Sequence, residues 1–104
     1  MGLLSFAPKR TGETLKYSFD FVNQLASGET LSNPVVTAAV YQGTDPSPSG
    51  IVSGSASVSG TTVTQLITAG LDNVTYVLIF EADTSNSQTL QAVALLLVSD
   101  AYRS

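Results

Sequence analysis

The dominant pattern along the chain is an alternation of apolar and polar residues with a period of two. Leu15, Tyr17, Phe19 and Phe21 fall on one side and Lys16, Ser18 and Asp20 on the other, as in a strand buried on one face. Thr11-Gly12-Glu13 ahead of it and Asn23 behind it bound the strand. A second strand, rich in Val and Ala, is predicted from about Pro34 to Tyr41. The stretch Gly43 to Gly50 contains Pro46 and Pro48 as well and suits neither helix nor ladder. From Ile51 to Ser59 every second residue is serine (Ser53, Ser55, Ser57, Ser59), with Val52, Gly54, Ala56 and Val58 between. Ser59-Gly60 can turn a hairpin into Thr61–Thr68, where Val63 and Ile67 share one face and Thr62, Thr64, Leu66 and Thr68 the other. Tyr76–Ala82 and Thr89–Val98 complete the set, joined by the polar stretch Asp83 to Gln88.

Short strands with a turn signal about every ten residues predict an all-β fold, an immunoglobulin-like β-sandwich of about seven antiparallel strands. An all-β barrel is the alternative architecture. Val22 to Leu31 has room for one short helical turn at most, because Gly28 and its Ser and Thr neighbours oppose a longer one. Tyr76 follows the turn at Leu71 to Thr75 and opens an apolar strand. That is the place of a tyrosine corner, whose hydroxyl bonds back to upstream backbone. The predicted organisation is an N-terminal arm over residues 1–10, the sandwich over 11–99 and a tail over 100–104. The last two strands, with Tyr76 to Phe80 and Ala92 to Val98, are apolar on both faces. A sandwich buries one face of each sheet, so these runs predict a covered sheet or a subunit interface.

Composition narrows the chemistry. The 104 residues hold no Cys, His or Trp, which removes thiol nucleophiles, a Ser-His-Asp triad, the usual zinc ligand sets and any disulfide framework. A net charge of −4 opposes nucleic-acid binding. Glu81 and Asp83 share a strand face but lack an aromatic cleft, so a carboxylate glycosidase is remote. Asp83, Ser85 and Asn86 are too sparse for a dedicated calcium loop, and no glycine-rich loop precedes a helix with a lysine in place. The expectation is a non-enzymatic protein with no catalytic residue, cofactor or metal. Leu3 to Ala7 is too short for the apolar core of a signal peptide, and the run Ala92 to Val98 is too short to span a bilayer. A soluble product of the cytoplasm, without a membrane partner, is therefore expected.

The few charges are sorted. Residues 1–16 carry Lys9, Arg10, Lys16 and Glu13, whereas beyond them seven acids face Arg103 alone. An apolar and basic arm (Leu3, Leu4, Phe6, Lys9, Arg10) is thus expected to dock on an acidic neighbouring copy or partner, as an added strand. The other expected protein contacts are the loop residues Asp45, Pro46, Ser47 and Pro48, and Val77, Ile79 and Leu96 as outward residues of the last strands.

Three stretches carry a resemblance: Lys9 to Phe21, Gly43 to Gly54, and Val58 to Gln65, with Gly70 and Tyr76. Together they resemble a family of small phage and prophage virion proteins described as fibre–tail adaptors or head–tail and neck components, similar to immunoglobulin-like domains. The resemblance covers about Lys9 to Val98 and rests on turn and strand residues, so it brings no catalytic residue with it. It implies a virion structural protein, made in the host cytoplasm and acting through contacts with tail, neck or fibre proteins, in homo-oligomeric or ring-associated copies. A capsid decoration protein, or a bacterial surface or carbohydrate-binding module, are the alternatives.

Overall fold

The structure is a computed structural model that describes residues 4–101. Seven strands follow in order: β1 (Leu4–Ser5), β2 (Leu15–Asp20), β3 (Leu31–Gln42), β4 (Val52–Ser59), β5 (Thr62–Ile67), β6 (Val74–Thr84) and β7 (Thr89–Val98). They form two sheets, ordered β1-β7-β6-β3 and β2-β5-β4. The described residues contain no α-helix, only 3-10 turns at Val22–Gln24 and Pro48–Ile51. The all-β expectation holds, and β7 has the predicted bounds. Every strand pair within residues 11–99 is antiparallel, while β1, in the segment expected as an arm, runs parallel to β7 with Leu4 opposite Ala94.

The alternation in the sequence explains the core between the sheets. Along β6, Val74, Tyr76, Leu78, Phe80, Ala82 and Thr84 are buried while the residues between them are half-buried. Ala94, Leu96 and Val98 of β7 and Val63 and Ile67 of β5 meet them. Aromatic rings fill the middle: Phe6 lies 4.8 Å from Tyr17 and 6.0 Å from Phe80, and Phe19 lies 4.8 Å from Phe21. Tilted and edge-on pairs at such distances are the favourable geometry for ring quadrupoles.

Two local departures shape the edges. In β4 the register slips between Ser53 and Ser57 while β5 advances only from Leu66 to Thr64. Gly54 takes a φ of +71 there, a conformation open to glycine at little steric cost. The buried Gln65 side chain enters this bulge, and its Nε2 donates to the carbonyls of Ser53 and Gly54 at 2.7 and 3.2 Å. Ser53, Ser57 and Ser59 still pair with the outward Leu66, Thr64 and Thr62, so the serine face survives the bulge, with Ser55 inside it.

The second departure is the N-terminal segment, which docks on its own sheet. Phe6 N–H donates to Leu95 O and Lys9 N–H to Leu97 O, both at 2.9 Å, and Ser99 N–H returns to Lys9 O at 2.8 Å. Lys9 is fully buried. Its ammonium donates to Ala69 O at 2.6 Å and Arg10 O at 2.7 Å. Thr11 N–H and hydroxyl both bond Asp100. Leu4 to Lys9 thus run alongside β7 and bond to its backbone and to Ser99.

Candidate functional site

The two sheets turn chemically opposite faces to the outside. On the three-stranded sheet the outward side chains are mostly hydroxyls, and they bond one another: Ser18 to Thr64 and Thr14 to Thr68, each at 2.8 Å. Ser57 pairs with Thr64 and Ser59 with Thr62 on the same face. Such a face is satisfied by itself and by water.

The four-stranded sheet presents aliphatic groups instead. In β6 and β7, Val77 lies opposite Leu95, Ile79 opposite Val93 and Thr75 opposite Leu97. Across to β3, Ala39 lies opposite Val77 and Thr37 opposite Ile79. Val35, Tyr41 and Val93 are 48%, 57% and 38% exposed. Side chains directly opposite on a sheet are about 4.5–5.5 Å apart at Cβ, so these rows make one continuous surface. Its polar border is at one end. There Gln91 Nε2 donates to Glu81 Oε1 at 2.8 Å, and Thr89 Oγ1 and Asn33 Nδ2 donate to Asp83 at 2.9 and 3.1 Å. The two carboxylates are thus engaged by two amides and a hydroxyl on an open face. Among the described residues there is no pocket and no cluster of three metal-ligating side chains.

The expected contact residues fall in different places. Val77 and Ile79 are on this outer face, as expected. Leu96 is not: it is 0% exposed and points into the core. The reason is parity, since Val93, Leu95 and Leu97 take the outside once Ala94, Leu96 and Val98 face inward. Of the arm, Leu3 lies outside the described residues, and Leu4 is an exposed edge residue of β1. Phe6 packs on the core and Lys9 is buried, so neither is free to meet a partner. Arg10 is half-buried, its N–H held by Glu13 Oε1 at 2.8 Å.

The loop Asp45 to Pro48 is fixed from below. Asp45 Oδ1 accepts from Ser47 N–H at 2.8 Å and its Oδ2 accepts from the Tyr76 hydroxyl at 2.7 Å. That hydroxyl in turn accepts from Leu71 N–H at 2.9 Å. The tyrosine corner expected from the sequence is present, with a carboxylate added to it. Pro46 and Ser47 are exposed and Pro48 is half-buried, so a rigid loop stands at the end of the molecule near the β6 start.

Burial first, then the bond to Asp45, pushes the Tyr76 hydroxyl from 10.0 up to about 12. A folded-state value above the unfolded one means its contribution is complete below pH about 10 and is lost as pH climbs toward about 12. Tyr76→Phe is expected to cost about 1–3 kcal/mol, because Leu71 N–H and Asp45 lose a buried partner. It should also flatten the alkaline fall in stability, measured by urea unfolding at stepped pH. Some slope remains from Tyr17, raised by burial and by Glu13. An unchanged slope in Tyr76→Phe would contradict this assignment.

Sequence reasoning missed Val35, Thr37, Ala39, Tyr41, Val93, Leu95 and Leu97 as members of the face. The signal for β7 was present in its unbroken apolar run, but only the inward parity of Leu96 says which half of the run is outside. For β3 the signal was weak, because the register slips between Ser32 and Val35 and again between Val40 and Gln42.

Residues 9–97 match a family model described as podophage GP4 fiber-tail adaptor protein gp77. Among curated proteins, none matches the chain.

Proposed function

The chain belongs to this podophage fibre–tail adaptor family, and from that membership we propose that it joins tail and fibre proteins through the aliphatic outer face of its four-stranded sheet. The protein is a non-enzymatic virion component in this reading. Its two sheets form an immunoglobulin-like sandwich, made in the host cytoplasm and used in several symmetric copies.

One observation carries the reading: of the two outer faces, one is closed by hydroxyl pairs and the other is left aliphatic. Contiguous apolar surface on a small domain is costly to leave in water and marks an interaction site. The central rows Ala39–Val77–Leu95 and Thr37–Ile79–Val93 carry no charge, which suits the desolvated middle of an interface. Glu81 and Asp83 supply a polar rim at one end. The rigid Asp45–Pro48 loop, braced by Tyr76, offers a second contact at a different edge of the molecule. An adaptor needs two such contacts, one for each protein it joins.

The test is a Val77→Asp/Ile79→Asp pair of substitutions in the phage that carries this chain. Both positions point outward, so the variant is expected to keep its β-sheet circular dichroism and to unfold cooperatively. Fibre retention on purified particles should fall roughly tenfold or more, as for loss of a buried interface centre. Particles that keep a full complement of fibres with this variant would refute the reading.

A further inference from the structure

The two sheets have four edge strands, β1, β3, β2 and β4, and an unpaired edge is a template for another strand. Three of the four are blunted. β1 is two residues long, β3 contains Pro34 and two register shifts, and β4 bulges between Ser53 and Ser57. β2 alone is regular: its six residues pair one to one with β5, from Leu15 opposite Ile67 to Asp20 opposite Thr62. It contains neither Pro nor Gly. Behind it, Phe6 packs on Tyr17 and Phe19 on Phe21, so the edge is backed by a filled core.

The direction of its backbone groups follows from one bond. Phe21 N–H donates to Thr61 O at 2.8 Å, next to the Asp20–Thr62 pair. Antiparallel ladders alternate bonded and non-bonded pairs. Phe21, Phe19, Tyr17 and Leu15 therefore direct their backbone groups to β5. Lys16, Ser18 and Asp20 direct theirs to the open edge.

We propose that two copies of this chain pair edge to edge through β2, antiparallel, about a two-fold axis at Ser18. In that register Ser18 faces Ser18 of the second copy and Lys16 faces Asp20 of the second copy, twice. Tyr17 faces Phe19 of the second copy on the core side. The residues that would exchange main-chain hydrogen bonds are the same three whose groups point outward, giving roughly six bonds across the junction. The side chains agree with the backbone: opposite charges stand opposite, and aromatic stands opposite aromatic. A one-residue slip would place outward groups against the second copy's inward ones, and a two-residue slip would part Lys16 from Asp20, so backbone and charge together set the register. Lys16 is then more than a charge that deters stray strands, because Asp20 of the second copy receives it. Asp20 Oδ1 already holds Val22 N–H at 2.9 Å and the Thr61 hydroxyl at 2.5 Å, which aims the carboxylate and leaves Oδ2 for the lysine. The junction is an isologous one, the commonest form of a homodimer contact. It uses an edge and leaves the aliphatic face uncovered, so it stands apart from fibre–tail attachment.

The test uses the full chain, which has no cysteine of its own. Ser18→Cys should form a covalent dimer in a glutathione redox buffer, since opposed Cα atoms about 5.5 Å apart are within disulfide reach. Ser57→Cys, on the same outer face but on β4 away from β2, is the control: it should associate like the unaltered chain but form no covalent dimer. Ser18→Pro removes an outward N–H that β5 does not use, so it should fold and yet associate roughly tenfold or more weakly in sedimentation equilibrium. Lys16→Glu should weaken association as well, by setting like charges opposite each other. The proposal fails if the unaltered chain stays monomeric at high concentration, or if the dimer survives Ser18→Pro unchanged. Cross-linking through Val77→Cys in place of Ser18→Cys would assign the self-contact to the aliphatic face and would equally overturn it.

Discussion

Leu96→Ala is expected to lower the free energy of unfolding by about 2–5 kcal/mol, and Leu97→Ala by about 1.5 kcal/mol at most. The two leucines are chain neighbours on one strand and differ only in the face they occupy. Leu96 is fully buried among Tyr76, Phe80 and the other core residues, and truncating it leaves a cavity that a sheet held by neighbours on both sides cannot close. Leu97 lies on the outer face opposite Thr75, where water can replace the lost methyls. A domain of this size has about 5–15 kcal/mol in total, so Leu96→Ala should lower the melting temperature by roughly 10 °C or more. Urea unfolding of the two variants side by side measures the difference. Equal losses would mean that both faces of β7 are covered in the free protein, and a larger loss for Leu97→Ala would invert the strand.

Lys9→Ala is the second large effect, expected at about 2–4 kcal/mol. Two carbonyls, Ala69 O and Arg10 O, lose charge-assisted donors, each worth about 1.5–3 kcal/mol before the cost of burying the ammonium is set against it. The four-carbon stem is lost as well. Lys9→Met keeps most of the stem and should recover at least part of the loss, which separates packing from hydrogen bonding. The pH dependence supplies an independent check. Burial lowers the Lys9 pKa below 10.5, with Glu13 and Asp100 acting the other way. A base depressed in the folded state binds fewer protons there than in the unfolded chain. Its burial is therefore a cost at neutral pH, relieved as pH rises toward 10.5. That upward trend should vanish in Lys9→Met, while the alkaline fall assigned to Tyr76 stays. A Lys9→Ala protein as stable as the parent would mean that the segment ahead of β2 adds nothing to the fold.

Strands β2, β4 and β5 were legible because each carries its own periodicity. Tyr17, Phe19 and Phe21 against Lys16, Ser18 and Asp20 require no partner to be read, and the same holds for Val63 and Ile67 among the threonines of β5. Tyr76 was legible from its place after a turn. Its link to Asp45 was not, because the residues are 31 apart in sequence and nothing local records that the loop and the β6 start meet. Lys9 misled for a related reason. A lysine near a chain terminus reads as solvated, since burying an ammonium is costly, and only the carbonyls of Ala69 and Arg10 offset that cost. Gly70 belongs with them: at its φ of +98 a side chain is strained, and a Cβ would sit 3.0 Å from Val98 Cγ2, a packing that no local pattern around this glycine records.

By itself the sequence determined that the fold is all-β, where most strands run, that charge is scarce and sorted, and which virion family the turns resemble. Those are properties of neighbours along the chain, of composition and of motif. The tertiary structure decided what the sequence left two-sided. In β6 and β7 both faces are apolar, so hydrophobicity cannot tell inside from outside. The choice was made by the sheet that packs over one of them, with Phe19 and Ile67 joining Phe80 and Leu96 in one core. It likewise laid Leu4–Ser5 along the open edge of β7 and packed Phe6 against the core, which nothing in the local pattern of the first ten residues records. Burial is a property of what lies opposite, and a period of two cannot record it when both halves of the period are apolar.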